Sequence, residues 1–163
     1  NKQFINKVAK SITLKKLKNK KLYSPEVARL SSIIAKKPYV RSALKNFQKN
    51  FIKKSSLVVV EGRDIGSKIM KFADLKLFFK CSKKEKARRR LKEFKTLNKK
   101  ITLKRVEKAL NQRDIEDTKR KISPLIMTKN AVLVDTTKLT IKQMDVKLTN
   151  LVENSINMKY GNL

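Results

Sequence analysis

Seven of the nine arginines in this sequence stand at four places, which are Arg41, Arg63, the triplet Arg88-Arg89-Arg90, and the pair Arg113 and Arg120. Lysine supplies the other 34 basic side chains. Arginine differs from lysine because its planar guanidinium can donate two parallel hydrogen bonds to one phosphate or carboxylate. The selective use of arginine at these places indicates a pocket for a phosphorylated, polar ligand.

Arg113, Asp117 and Arg120 are spaced by four and then by three residues. On an α-helix this spacing puts the three side chains on one face. They could form a surface ladder of ion pairs, which is common on charged helices. They could instead form a clamp, in which the arginines bind phosphate oxygens and the carboxylate accepts hydrogen bonds from sugar hydroxyls.

Arg63 and Asp64 lie between two glycines in the segment EGRDIG, residues 61–66. They could belong to a solvated loop. Glycine, however, lets the backbone turn sharply and approach a ligand closely. In that case Arg63 would hold a phosphate, and Asp64 would accept a hydrogen bond from an exocyclic amine.

The triplet Arg88-Arg89-Arg90 lies in a lysine-rich segment with helical character. One interpretation is the solvated basic face of a helix. The other is a mobile basic segment that closes over a triphosphate.

Length and charge bound the class of protein. The chain has 163 residues, of which 40% are apolar, so it is long enough for one domain with a core. Its formal net charge of +30 is extreme. Such a charge attracts RNA irrespective of sequence, but a lysine-rich proteome would give the same composition. Either explanation favours an anionic ligand.

Composition also excludes several kinds of site. The sequence has no histidine, which rules out histidine catalysis and histidine–metal sites, and Cys81 is its single cysteine, which rules out an internal disulfide. The longest aliphatic run, at residues 57–60, is too short to cross a bilayer. We therefore expect a protein of the reducing cytoplasm without a membrane partner.

Hydrophobic periodicity and capping residues predict alternating helices and strands. Helices are expected near residues 4–12, at 25–35, from Pro38, at 83–95, at 102–120, and from Thr140, where Gln143 completes a capping box. Strands are expected at 56–60, 75–79 and 131–134, and the first of these would be buried on both faces. The alternation indicates an α/β protein with a parallel sheet flanked by helices. Ligands bind beyond the carboxyl ends of such strands, where the loop at 62–66 would lie.

Together, the order and spacing of these segments resemble the cytidylate kinase family of nucleoside monophosphate kinases. The similarity runs from about residue 10 to residue 152. It is most specific in EGRDIGS (61–67), ADLKLFF (73–79), KARRR (86–90), QRDIEDTKRKISPL (112–125) and AVLVDTT (131–137). The segment SPEVARLSSIIAKKPYVRSAL (24–44) is similar to the region of the family that binds the nucleoside monophosphate. The resemblance implies a P-loop kinase-like fold and transfer of the γ-phosphoryl group of Mg-ATP to CMP or dCMP.

The resemblance also implies roles for individual residues. Ser32, Arg41 and Asp64 would contact the cytosine ring of the acceptor. Arg63 and Arg120 would contact its phosphate. Arg113 and Asp117 would contact its sugar hydroxyls, and Arg113 would also lie near the phosphate. The catalytic cations would thus be Arg63, Arg113 and Arg120. Arg89 and Arg90 would belong to a lid over ATP.

Three regions follow from this assignment. Residues 1–55 would form a helical region that binds the nucleoside monophosphate. Residues 56–157 would form the α/β core, with a lid segment at about 83–120. Residues 158–163 would form a C-terminal tail.

The sequence departs from the family pattern chiefly at its start. Members of the family begin with a strand and a loop of the type G-x-x-x-x-G-K-[ST], whose amides cradle the phosphates of ATP. This chain begins with Asn1 and has three glycines, at 62, 66 and 161, so it contains no such loop. We expect roughly the first quarter of the family's chain, including the first strand, to be missing. We also expect no identifiable magnesium ligand and no useful kinase activity from these residues alone.

Smaller departures from the family pattern occur elsewhere in the chain. Lys86 stands where the family often has arginine, and Lys71-Phe72 replace a usual proline–acid pair.

Two alternatives stay open. A basic RNA-binding module without enzymatic activity would explain the charge but not the aspartates among the arginines. A related kinase could use a different acceptor, and base preference would then depend on Asp64. The cytidylate kinase interpretation predicts a monomer when complete, with no specific nucleic-acid partner.

Overall fold

The computed structural model of the chain describes residues 1–96 and 101–161. These residues form two compact units, one at Asn1–Glu61 and one that begins at Gly62. The first unit carries the first four helices and the second carries both described strands.

The regular elements of the first unit are helical. They are α1 (Lys2–Lys10), α2 (Leu14–Leu17), a 3-10 turn (Lys20–Tyr23), α3 (Pro25–Ile34) and α4 (Pro38–Lys53). The predicted start of α3 is confirmed, because the Ser24 side chain accepts a hydrogen bond from the amide of Val27. α1 packs against α4, and the small side chains Ala9 and Ala43 are buried together with Val40.

The second unit contains the parallel sheet. A π-helical turn (Ile65–Ile69) precedes β1 (Leu77–Lys80), which is followed by α5 (Lys83–Thr96), α6 (Leu103–Lys119), β2 (Val132–Asp135) and α7 (Ile141–Tyr160). β1 and β2 pair in parallel, with Leu77 opposite Val132 and Lys80 opposite Asp135. The predicted α/β class is therefore confirmed. The carboxyl ends of both strands meet at one edge of the sheet.

Buried side chains on α5, α6 and β2 contribute to the core of this unit. α5 packs against α6, and Ala87 and Val106, one on each helix, are fully shielded from solvent. Val134 of β2 is also fully buried. A highly charged helix such as α5 can approach its neighbour at Ala87 because alanine has no side chain beyond Cβ.

The prediction of a strand at residues 56–60 is wrong. These residues are irregular, and Leu57 is 91% and Val59 100% exposed. An apolar β-branched run forms a buried strand only where a neighbouring strand takes its backbone hydrogen bonds and other layers cover both faces. Within the described ranges, β1 and β2 pair with each other and neither pairs with this run. The loop at residues 62–66 consequently does not follow a strand.

The last helix begins where the sequence predicts. The Thr140 hydroxyl accepts from the amide of Gln143, and the Thr140 amide donates to the Gln143 side chain, so the capping box is complete. α7 continues to Tyr160, which extends helical structure three residues into the segment predicted as a tail. None of the helices in the described ranges is long and apolar enough to cross a bilayer.

Candidate active site

Three of the predicted arginines converge on one carboxylate, Asp117. Arg63 donates from Nε to Oδ2 at 2.7 Å, and Arg120 donates from Nη1 to Oδ1 at 3.3 Å. Arg113 lies further away, with 3.9 Å between its Nε and Oδ2. We call these four residues the arginine cluster. All of them belong to the second unit.

Helix α6 and the turn after it position two of the arginines. Arg113 and Asp117 lie one turn apart on α6, as the spacing predicts. Arg120 follows the end of the helix and has an extended backbone with ψ 139°, so it does not share the helical face. Its side chain still reaches Asp117, and its Nε donates to the carbonyl of Ser123. The chain thus folds back onto the end of α6, and Ser123 has the left-handed φ of 53° that this reversal requires.

Arg63 reaches the cluster from a segment 54 residues earlier. Gly62 precedes it in a close turn, where a Cβ atom would lie 2.8 Å from Cγ1 of the buried Ile65. The π-helical turn that follows is closed by backbone hydrogen bonds from Lys68 to Asp64 and from Met70 to Ile65. Glycine at 62 therefore allows this turn to pack tightly and to direct Arg63 towards α6.

The arginine cluster carries two excess positive charges, because three guanidinium groups surround one carboxylate. The Asp117 and Arg120 side chains are 15% and 20% exposed, whereas those of Arg63 and Arg113 are 44% and 52% exposed. The shielded carboxylate reduces the repulsion between the cations and fixes their positions. The exposed parts of Arg63 and Arg113 leave donors that can take a second anion. A phosphate dianion matches this charge.

The three residues predicted to contact a base lie in different units. Arg41 in the first unit donates from Nη1 to the carbonyl of Ala35 at 3.1 Å. Ser32 lies in α3, and its side chain is outside the described part of the structure. Asp64 in the second unit precedes the π-helical turn. The roles of these residues stay predictions.

The two predicted lid arginines make different contacts. Arg90 pairs with Glu93 on its own helix, and its guanidinium lies 4.7 Å from the centre of the Phe94 ring. Arg89 instead donates hydrogen bonds to the chain that follows β2. Their contact with a triphosphate stays a prediction.

Sequence reasoning missed the contact between Lys86 and Asp114. This ion pair joins α5 to α6 next to Arg113. The two residues are 28 positions apart on different helices, so no local spacing signals it. The sequence shows lysine at residue 86 where the family often has arginine, but it does not show that Lys86 pairs with Asp114.

A magnesium site does not follow from the described residues. Among them there is no group of three or more acidic, cysteine or histidine side chains that could hold a metal ion. Asp117 lies next to three arginines, which disfavours a cation at that carboxylate. These residues therefore do not fit a protein-held metal.

The second unit is a parallel α/β unit that carries the arginine cluster, and comparison with known proteins identifies the family. The sequence model of the cytidylate kinase family matches residues 2–154. The chain therefore belongs to the cytidylate kinase family.

Individual relatives agree with this assignment. The chain is 39% identical to the cytidylate kinase of Desulfitobacterium hafniense over 137 residues, which cover 84% of the chain and 59% of that relative. It is 38% identical to the cytidylate kinase of Leuconostoc mesenteroides over 133 residues, or 82% of the chain and 59% of the relative. It is 35% identical to the cytidylate kinase of Thermotoga maritima over 137 residues, which cover 84% of the chain and 62% of that relative. The chain thus spans about three fifths of the length of the curated relatives it matches.

Proposed function

We propose that this chain forms the acceptor-binding part and the lid of an enzyme that transfers the γ-phosphoryl group of ATP to CMP or dCMP. The observation that carries the proposal is the arginine cluster, with two excess positive charges held around one shielded carboxylate. Membership of the cytidylate kinase family supports the choice of reaction. It does not favour an RNA-binding module.

The arginine cluster would bind the acceptor phosphate. Asp117 holds Arg63 and Arg120 in position. The exposed part of Arg63 can donate to phosphate oxygens with little reorganisation, and Arg120 would add positive charge beside the same phosphate. The second pKa of a phosphate monoester is about 6, so the nucleophilic oxygen is largely ionised at neutral pH and needs no general base. The guanidinium groups would also stabilise charge on the phosphoryl group during transfer.

The remaining acceptor contacts would select the sugar and the base. Arg113 and Asp117 would meet the sugar hydroxyls. Ser32, Arg41 and Asp64 would contact cytosine, since a carboxylate accepts a hydrogen bond from the exocyclic amine of cytosine. Uracil has a carbonyl at that position, which a carboxylate repels.

ATP is the proposed donor, and Arg90 and Arg89 on α5 are the proposed lid residues. A magnesium ion bound to the phosphates of ATP would neutralise part of their charge. Since the described residues offer no metal site, we assign no step of the reaction to that ion. The excess charge of the arginine cluster is the contribution that this chain itself makes.

The test is nucleotide binding by the purified chain, measured by calorimetry with CMP, dCMP, UMP, AMP and inorganic phosphate. We expect CMP to bind more tightly than UMP or AMP. Arg63→Lys should weaken CMP binding about tenfold, because the bidentate contact is lost. Arg105→Lys, at an exposed position on the same helix as Asp117, is the matched control.

Base selection needs a separate variant. Asp64→Asn should reduce the preference for CMP over UMP, and Asp145→Asn on α7 should not change it. Binding of RNA that depends steeply on salt, with no effect of any mononucleotide, would contradict the proposal and favour the RNA-binding alternative.

We also infer a cytoplasmic location and a monomeric state for the complete protein. The free thiol of Cys81 supports a reducing compartment. Light scattering at several protein concentrations tests the monomer, and a mass that rises with concentration would contradict it.

A further inference from the structure

Arg89 makes four hydrogen bonds with neighbouring groups of its own unit. Its Nε donates to Glu85 on the preceding turn of α5 at 3.1 Å. Its Nη1 donates to the hydroxyl of Thr136 at 3.3 Å, and its Nη2 donates to the carbonyls of Thr136 and Leu139 at 2.7 and 3.3 Å. Four of the five N–H groups of a guanidinium are therefore engaged.

Thr136 extends this contact to the sheet. It is 5% exposed and directly follows β2. Its amide and its hydroxyl both donate to the carbonyl of Lys80, the last residue of β1, at 2.8 and 3.1 Å. Arg89 is thus linked through one buried threonine to the carboxyl ends of both strands.

Other contacts fix the same part of α5. The amide of Ser82 donates to the hydroxyl of Thr137 at 2.9 Å. Lys86 pairs with Asp114 on α6. Ala87 is completely buried on α5, which packs against α6. The contacts that the structure gives for Arg90, in contrast, lie within α5 itself.

We propose that Arg89 is a positioning residue that anchors the first half of α5 to the carboxyl edge of the sheet. The anchor consists of Arg89, Thr136 and Leu139. Lysine cannot replace arginine here, because a single ammonium cannot reach three acceptors in the fork geometry of a guanidinium.

The experiment uses the single cysteine as a probe. Cys81 is half-buried and adjoins Ser82 at the start of α5, so opening of the anchor exposes it. The rate of its reaction with a thiol reagent reports this opening without an engineered label. No nucleotide is added, so the result does not depend on whether the proposed function is correct.

We expect Arg89→Lys to raise the labelling rate of Cys81 about tenfold, as loss of charge-assisted hydrogen bonds from a local opening equilibrium predicts. Arg88→Lys, at the exposed neighbour on the same helix, should change the rate less than twofold, within the small effect expected at a surface position. Hydrogen exchange should accelerate in residues 83–90 and 136–139 and stay unchanged in α7. An unchanged rate in Arg89→Lys, or faster exchange throughout the unit, would overturn the anchor.

Thr136 supplies an independent check if Arg89→Lys does not fold. Thr136→Ser keeps the hydroxyl and should keep the labelling rate, whereas Thr136→Val should raise it as Arg89→Lys does. The double variant of Arg89→Lys with Thr136→Val should label no faster than either single variant. Equal rates for Thr136→Ser and Thr136→Val would overturn the proposal.

Discussion

Asp117 organises the arginine cluster through its charge, because three guanidinium groups would otherwise repel one another. Asp117→Asn keeps the shape of the side chain but removes that charge. We expect it to lower the free energy of unfolding by about 1.5–3 kcal/mol, the range for hydrogen bonds to charged groups. Urea denaturation measures the change. Asp145→Asn, an exposed aspartate on α7, is the control, and equal stability of the two variants would contradict the organising role.

Alanine substitutions at Gly62 and Gly66 test the packing of the loop that carries Arg63. A Cβ at residue 62 would lie 2.8 Å from Cγ1 of Ile65, whereas one at residue 66 would meet the Lys76 side chain, with its Cδ at 3.5 Å and its Cγ at 3.8 Å. We expect Gly62→Ala to destabilise the protein by about 1–3 kcal/mol through overpacking. Gly66→Ala should be tolerated because the lysine side chain is in ordinary contact distance. Thermal denaturation of the two variants compares them, and a more harmful change at residue 66 would refute this account.

The helices could be predicted because their signals are local. Ser24, Thr102 and Thr140 each accept a hydrogen bond from an amide three residues later, and each precedes the helix that it caps. The strand predicted at residues 56–60 depended on neighbours distant in the sequence, and no described strand pairs with it. Apolar runs indicate how strongly a segment favours burial, but not whether a partner is present.

The candidate site also combines a local contact, which residue spacing predicts, with contacts between residues distant in the sequence, which it does not predict. The contact between Arg113 and Asp117 follows from helical spacing. The contact of Arg63 with Asp117 spans 54 residues, and that of Arg89 with Thr136 spans 47. Neither follows from residue spacing. The family resemblance supplied roles for Arg63 and Arg89, but it did not indicate the hydrogen bonds that hold them.

The start of α7 tests the contribution of a single cap. Thr140→Ala removes the hydroxyl that accepts from the amide of Gln143, so we expect a loss of about 1 kcal/mol in unfolding free energy. Thr149→Ala, at an exposed position within the same helix, should be neutral or slightly stabilising, since alanine has the higher helix propensity. Helical content and urea midpoints of the two variants give the comparison. A loss of equal size at both positions would show that the cap adds nothing specific.

The whole molecule has few acids to balance its bases, with 13 acidic and 43 basic residues. Each carboxylate therefore offsets repulsion among many cations. The ion pair with Lys159 holds the pKa of Asp74 below its ordinary value, and hydrogen bonds from Thr137 do the same for Asp135. A carboxyl group with a lowered pKa in the folded state stabilises that state above its unfolded pKa, and this stabilisation is lost as the pH falls through the folded pKa.

We therefore expect the melting temperature to fall steeply below about pH 4, where the acids become protonated and the net charge rises further. Asp74→Asn should lower the melting temperature at neutral pH. It should also make the decrease in melting temperature at acidic pH less steep, because the Asp74 carboxylate no longer contributes to that decrease. Asp145→Asn, at the exposed position on α7, is the control for this comparison. Addition of about 0.5 M sodium chloride should raise the melting temperature at every pH, because salt screens repulsion among exposed cations. A melting temperature that falls on addition of salt would show that attraction between opposite charges, and not repulsion among the lysines, dominates the electrostatics of the folded chain.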